Sequence, residues 1–366
     1  MTTAQSPDEL ARNGLPVEAE PALVPRQTAP DNAEFPIQQW WSWITPTRLF
    51  YVRSHFAVPA LDPASWRLVV DGEVERPLAL SLADLQALPR QRRVATLECA
   101  GNRRTEFEPR PPGVPWQDGA VSSAEWEGVA LADVLSLARP RAAAQELLLE
   151  GADQGMVAGG EPPIRFARSL SRERALHPDT LLADRMNGDP LPADHGAPLR
   201  AVVPGRYGMD SVKWLVRLRL LDRAFDGHFQ VNDYRLFPPA GSTAPPRPIG
   251  PVRVNSLITW PAGGAELRAG REIRLVGYAW SGSGAIRGVE VSVDGGATWK
   301  AAALVGPEAP HAWRLWELGW KPEAPGAHRL AVRAVDSTGA TQPEQADWNA
   351  KGYANNGVRR LEVQVR

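Results

Sequence analysis

The sequence holds one cysteine, Cys99, in 366 residues. No intrachain disulfide can form, so the redox compartment cannot be read from bridges. Covalent c-type haem needs two cysteines and a histidine and is excluded, as is a four-cysteine zinc or iron–sulfur site within one chain. Lysine is scarce as well: Lys213, Lys300, Lys321 and Lys351 are the only four. Arginine therefore carries almost all of the positive charge. Genome composition can cause such a bias, but it leaves many planar, permanently charged forks that suit oxyanions. The net charge of -1 gives no case for nucleic acid or for acidic membranes. No run of about 18 apolar residues occurs, so no membrane span is expected. The first residues lack a basic stretch, an apolar core and a twin arginine, which makes a cytoplasmic location the expectation. A periplasmic protein whose export signal had been removed would read the same.

The composition, 43% hydrophobic and 23% charged, is that of an ordinary globular protein large enough for two or three domains. Residues 1–34 are polar and proline-spaced (Pro16, Pro21, Pro25, Pro30) and read as an extended arm over the surface. In the next segment, 35–245, stretches 66–71, 93–97, 201–203 and 212–221 read as strands. Stretches 81–88, 131–138 and 179–186 read as helices, the first with Ser81 as N-cap. Thirty-five prolines are roughly double the usual share and fit a loop-rich domain. Residues 238–251 are dense in proline and small residues and read as a linker. From 246 to 366 the pattern changes to seven short strands: 252–260, 272–280, 288–293, 298–304, 313–320, 328–335 and 358–365. Asp294-Gly295-Gly296 supplies a hairpin signal, and the whole suggests an immunoglobulin-like sandwich. Trp40, Trp41 and Trp43 are expected in the core or at the domain junction; Trp280, Trp299, Trp313, Trp316 and Trp320 are expected to fill the sandwich. His177, His228, His311 and His328 have no metal spacing and read as surface or packing residues. Gly282-Ser283-Gly284 reads as a turn, and no Walker-type loop is present.

A lone cysteine is ordinarily a small buried hydrophobe. Cys99, however, sits in Glu98-Cys99-Ala100-Gly101-Asn102-Arg103-Arg104, where a strand runs into small residues and two arginines. Small residues let a bulky ligand approach the backbone. Adjacent arginines are expected to lower the thiol pKa and favour the thiolate, which ligates soft transition metals. A nucleophilic cysteine would fit the same residues.

This motif resembles the molybdenum-ligand motif of the sulfite oxidase family, and further segments resemble that family in order. They are Leu49-Phe50-Tyr51-Val52-Arg53-Ser54-His55-Phe56, Met186 to Arg200 with Val202-Val203-Pro204-Gly205, and Ser211-Val212-Lys213-Trp214-Leu215. Val289 to Gly296 and Trp348-Asn349-Ala350-Lys351-Gly352-Tyr353 are similar to the family's C-terminal dimerisation domain. The resemblance implies an α+β fold: a mixed, loop-rich molybdopterin-binding domain followed by an immunoglobulin-like β-sandwich that pairs two chains into a homodimer. It also implies a molybdenum–molybdopterin cofactor with Cys99 as the metal's protein ligand. The cofactor contacts it implies are Tyr51, Arg53, His55, Asp153, His195, Arg200, Ser211, Val212 and Lys213. Asp153 would be an acceptor and His195 a donor for the pterin. Arg200 and the 211–213 segment would meet its phosphate.

For a small oxyanion such as sulfite, the resemblance implies Arg53, Arg104, Trp116, Tyr234 and Lys351 as the pocket, with Cys99, Tyr234, Arg104 and Arg53 carrying catalysis. Arginine forks grip oxyanions and a phenol hydrogen-bonds oxygen. Two departures stand out. Ser54 occupies a position where asparagine is common, and Lys351 one where animal and plant relatives carry arginine, which loses a planar fork. No haem domain is expected, so electrons from the oxidation of sulfite to sulfate would leave to a separate acceptor, a cytochrome c-like protein or oxygen. A relative acting on another oxyanion, or as a reductase, is the enzymatic alternative. A non-catalytic binding protein on the same fold is the other, disfavoured because Cys99, Arg104 and Tyr234 occur together.

Overall fold

The computed structural model describes residues 21–157 and 162–366. Two five-stranded sheets build the first domain. One runs Asp189–Pro190, Leu181–Met186, Val121–Ala130, Arg90–Glu98, with Arg200–Val202 also pairing on Leu181–Met186. The other runs Leu78–Leu80, Leu68–Gly72, Leu215–Leu221, Glu146–Gly155, Ile164–Ser171. Its only parallel pair joins Leu68–Gly72 to Leu215–Leu221. The helices at Leu82–Gln86 and Leu131–Ala138 form where the sequence predicts them. The first starts on a capping box in which Ser81 and Asp84 exchange side-chain and backbone hydrogen bonds, satisfying donors that a helix start leaves free.

Residues 179–186 differ from the expectation: Leu181–Met186 is a strand, buried between Val121–Ala130 and Arg200–Val202. A short apolar run buried on both faces carries no period that separates strand from helix. The deciding signal is Asn187-Gly188, both at positive φ (52° and 86°), a two-residue hairpin turn back into Asp189–Pro190. The arm also differs where it is described. Val24–Thr28 and Asp31–Glu34 form an antiparallel hairpin, and Asn32 and Glu34 are fully buried. Their polar groups are paired inside the protein, and so its polar composition did not leave it on the surface. Residues 1–20 lie outside the described residues.

All seven strands expected after the linker are present, from Asn255–Trp260 to Arg359–Val365, with a short Glu266–Leu267 added at one edge. Together they make a sandwich whose inner faces are apolar. Arg359–Val365 shows why: Leu361, Val363 and Val365 point inward while Glu362 and Gln364 alternate outward. The Asp294-Gly295-Gly296 turn joins Ile286–Ser292 to Lys300–Val305. Trp316 and Trp320 fill the sandwich, but Trp280 and Trp313 belong to the core shared with the first domain, and Trp299 lies under Arg333.

The tryptophan cluster at 40–43 forms the seam between domains. The Trp41 indole donates to the Gly277 carbonyl (3.1 Å) and the Trp313 indole to the Trp43 carbonyl (2.8 Å). Tyr278 donates to the Trp40 carbonyl (2.8 Å) and stacks on Trp313 at 3.9 Å. Arg103, expected beside the thiol, turns instead into this seam. Only 1% exposed, it donates to Asn255 Oδ1 (3.0 Å), the Gly357 carbonyl (2.9 Å) and Glu106 (2.7 Å). Removing one member of a buried ion pair costs about 3–5 kcal/mol. Arg103→Met should therefore lower the free energy of urea unfolding by about that amount, and an unchanged midpoint would contradict this account of the seam.

Candidate functional site

Cys99 ends the strand Arg90–Glu98. Its N–H donates to the Ala120 carbonyl and its carbonyl accepts from Asn102 N, both at 2.9 Å. The chain then turns through Ala100-Gly101-Asn102, so the thiol stands at the mouth of the sheet. Two cavities meet there and share Arg53, Cys99 and Tyr234 in their walls.

The inner cavity gathers every residue expected to contact the cofactor: Tyr51, Arg53, His55, Cys99, Asp153, His195, Arg200, Ser211, Val212 and Lys213. Gly208 gives the close approach on one side, since a Cβ there would lie 2.6 Å from the Tyr51 hydroxyl. Three cations face a single acid. Arg200 donates to the carbonyls of His195 (3.0 Å) and Ser211 (3.1 Å). Lys213 donates to Ser54 Oγ (3.0 Å) and the Asp194 carbonyl (2.8 Å). Among the described residues no carboxylate lies within ion-pair distance of Arg53, Arg104, Arg200 or Lys213. Burial, helped by Arg200, draws the Lys213 ammonium down to about 7. Burial pushes Asp153 up to about 6 against the pull of Lys213, and Asp153 Oδ1 is buried without a hydrogen-bond partner.

Both histidines of this cavity stay neutral: burial, then neighbouring cations, holds His55 well below its ordinary range and His195 down to about 3. The His195 ring meets the Thr47 carbonyl through Nε2 at 3.2 Å. A neutral ring that donates there presents an acceptor at Nδ1, where sequence reasoning expected a donor.

The outer cavity, about 530 Å³, gathers Arg53, Arg104, Trp116, Tyr234 and Lys351, all five residues expected for the substrate. Arg104 lies in a groove cut by glycines. A Cβ on Gly101, Gly113 or Gly352 would come within 2.5, 2.8 and 2.8 Å of its side chain, and the last two glycines have positive φ. Its guanidinium donates to the carbonyls of Lys351 (2.9 Å) and Val114 (2.8 Å). Tyr234 sits at φ 47°, a conformation that non-glycine residues hold only when their surroundings impose it. Those surroundings are the stacked Tyr353 ring at 5.4 Å and a hydrogen bond of 2.7 Å between its hydroxyl and His55 Nε2. Lys351 lies beside Asp233 (3.4 Å), which also accepts from Tyr353 (2.6 Å).

Burial pushes the Cys99 thiol up, while Arg53 and Arg104 pull it down. The expected depression by adjacent arginines is thus outweighed by desolvation, and one of the two arginines, Arg103, faces the seam. Sequence reasoning missed Arg26 and Gln27, which line the outer cavity from the hairpin, and Asp233 and Tyr353. The last two lie within segments singled out for other residues; Arg26 and Gln27 carried no signal beyond polarity.

Two family profiles match the chain: Oxidoreductase molybdopterin binding domain over residues 55–229 and Mo-co oxidoreductase dimerisation domain over residues 247–366. The chain is 41% identical to sulfite oxidase of Gallus gallus over 93% of its own length and 77% of that protein. It is 35% identical to nitrate reductase [NAD(P)H] of Hordeum vulgare over 99% of its length, but spans only 44% of that protein. The crystal structure of the sulfane dehydrogenase SoxCD from Paracoccus pantotrophus superposes with a TM-score of 0.81 at 30% identity, over 92% of this chain and 85% of that one.

The inner cavity makes a pH prediction. Anion binding there should weaken as pH rises through about 7, because Lys213 loses its proton and Asp153, titrating near 6, has already become negative. A charge-assisted hydrogen bond contributes about 1.5–3 kcal/mol, so sulfate, whose own charge is constant over this range, should bind cofactor-free protein about tenfold more weakly or more at high pH. Calorimetry at pH values on either side of neutrality checks it, and an affinity independent of pH would refute it.

Proposed function

Because the chain belongs to the sulfite oxidase family of molybdopterin-dependent oxidoreductases, we propose that it oxidises sulfite to sulfate at a molybdenum held by Cys99. One observation carries this reading: a single buried thiol stands where an inner cavity suited to an anionic cofactor opens into an outer cavity in which Arg53 and Arg104 have no acidic partner among the described residues.

The residues fit the cofactor. The unpartnered Asp153 Oδ1 is an acceptor waiting for a donor such as a pterin N–H. Arg200, Lys213 and Ser211 form a buried cationic pocket for its phosphate. His55 and Tyr51 would line its flank, with Val212 packing against it. Molybdenum bound at Cys99 supplies the two-electron redox change and the oxygen transfer.

The protein's own residues bind and orient. Sulfite and water yield sulfate, two protons and two electrons. Arg104 and Arg53 replace the hydration of the incoming anion, and their charge is undiminished because their protein partners are neutral oxygens. Arg104 is fixed by two carbonyls, so it does not have to be ordered at the moment of binding. Tyr234 keeps its proton, since burial raises its pKa, and its hydroxyl hydrogen-bonds at the junction of the cavities. His55, neutral, fixes that hydroxyl through Nε2. Trp116, fully buried, forms an apolar wall that keeps the anion on the arginine side. Electrons pass to a separate acceptor, a cytochrome c-like protein or oxygen, and two chains pair through residues 247–366. Among the described residues no helix is long and apolar enough to cross a membrane.

A second reading, a related oxyanion or a larger sulfur substrate, is favoured by the size of the outer cavity and by Lys351. Ion-paired with Asp233, this lysine offers a point charge instead of a fork. Steady-state rates with sulfite and with nitrate under a reductant separate the readings.

Two substitutions test the site. Cys99→Ser should abolish sulfite-dependent reduction of ferricyanide while circular dichroism stays unchanged; an active variant would remove the thiol from the mechanism. Arg104→Gln should raise KM for sulfite about ten- to a hundredfold, the equivalent of one charged hydrogen-bond donor, with molybdenum content intact. Unchanged sulfite kinetics would contradict the pocket.

A further inference from the structure

The hairpin Val24–Thr28/Asp31–Glu34 packs against the segment that carries Arg53. Ala33 and Val52 exchange two backbone hydrogen bonds, at 3.0 and 2.9 Å. This pairing fixes the register, so Asn32 falls beside Arg53 and Ser54. Asn32 is fully buried and uses its whole side-chain amide. Its Oδ1 accepts from Ser54 N (2.8 Å) and from Arg53 Nη1 (3.4 Å). Its Nδ2 donates to Gln27 Oε1 and the Pro30 carbonyl, both at 3.0 Å. A second anchor ties the hairpin down: Glu34 binds Arg26 (2.6 Å) and accepts from Gln117 N. Arg26 and Gln27 then stand in the wall of the outer cavity.

We infer that this hairpin is an element of the active site, with Asn32 a positioning residue that aims Arg53 into the junction of the two cavities. The inference rests on the reading that Arg53 grips the substrate anion. Its physical content is a choice of partner. A carboxylate at this position would hold Arg53 more firmly, but it would cancel the charge that the anion needs. Arg53 Nη1 is shared between the Asn32 carboxamide oxygen and the Ser54 carbonyl; the carboxamide, oriented by its own Nδ2 donating to two acceptors on the hairpin, holds both the guanidinium and the Ser54 backbone and leaves the charge free. The same oxygen accepts from Ser54 N, and the Ser54 side chain accepts from Lys213, so one amide bears on both Arg53 and Lys213.

The test compares Asn32→Asp, Gln27→Ala and Arg53→Gln in molybdenum-loaded enzyme, reading KM and kcat for sulfite and, by calorimetry at fixed ionic strength, the affinity for sulfate. Asn32→Asp, nearly identical in volume, should raise KM about tenfold and weaken sulfate by a similar factor, with kcat within about threefold. Gln27→Ala, at a half-buried position, frees the amide and should shift both in the same direction by about threefold. A purely structural role for Asn32 would lower stability without separating KM from kcat. If Arg53→Gln raises KM while Asn32→Asp and Gln27→Ala leave KM and sulfate affinity unchanged, the inference is overturned and the pocket reading stands. If Arg53→Gln itself leaves KM unchanged, the pocket reading has failed. Should Asn32→Asp not fold, Gln27→Ala decides: a rise in KM with weaker sulfate binding supports the inference, and no change overturns it.

Discussion

A carboxylate buried where the two domains meet holds the end of the strand that delivers Cys99. Glu98 is 2% exposed. Its Oε2 accepts from the Trp280 indole at 2.9 Å, and its Oε1 from Asn102 Nδ2 at 3.0 Å and Asn255 Nδ2 at 3.5 Å. Burial lifts its pKa to about 7 against these donors. An acid in such a place is costly unless its oxygens are satisfied, and here the donors come from both domains. Asn102 belongs to the turn after the thiol and also accepts from Ala120 N (3.0 Å); Asn255 and Trp280 belong to the sandwich. The residue next to the thiol is therefore fixed only when the second domain is docked. Burial at the seam continues along the strand, where Thr96 pairs with His311 and Trp313, and it explains why the strand's second half is buried while its first half is only partly covered.

The site's electrostatics follow from that enclosure. In the inner cavity the protein gathers a buried Arg200 and the half-buried Arg53 and Lys213, with Asp153 the only acid in the wall among the described residues. Cations held in low dielectric without acidic partners are a standing cost, visible in the depressed pKa values of Arg200 and Lys213. Carbonyl oxygens offset part of it by accepting their hydrogen bonds. An anionic ligand offsets the rest, so its binding energy is enlarged by what the protein's own groups leave unsatisfied. Histidine cannot relieve the imbalance by adding charge, because the same burial keeps His55 and His195 neutral.

Much of this was legible in the sequence, and the failures share a cause. Arg359–Val365 alternates because one face meets a core and the other meets water, whereas Asn255–Trp260 and Ile273–Trp280 are covered on both faces and are marked by their apolar runs and the turn residues around them. The cofactor residues were found because they sit in short contiguous motifs. What escaped depended on contacts between distant segments. Leu181–Met186 has no period because both faces are covered. Arg103 and Arg104 are adjacent in sequence, yet a positive φ of 62° at Arg103 sends one into the seam and the other into the site. The arginine effect on Cys99 was judged by neighbours in the chain, whereas desolvation by the whole fold decides its direction. The hairpin read as a solvated arm because its polar residues find partners only in the folded protein.

The outer cavity completes the dependence on docking. Of its cations, Arg53 and Arg104 come from the first domain, but Arg104 is held by the carbonyl of Lys351, and Lys351 and Tyr353 come from the second. Tyr353 stacks on Tyr234 and bonds Asp233, while the Arg104 guanidinium lies over its ring at 5.3 Å. The strained backbone of Tyr234 is thus held from the sandwich side by Tyr353 and from the cofactor side by His55. A tyrosine held between both halves of the chain cannot keep its position if either half moves, so the seam that sets the thiol through Glu98 also sets the phenol that faces it. Thiol, arginine and phenol are in place together only in the docked protein, which makes the contact between the domains a condition of the chemistry as well as of stability.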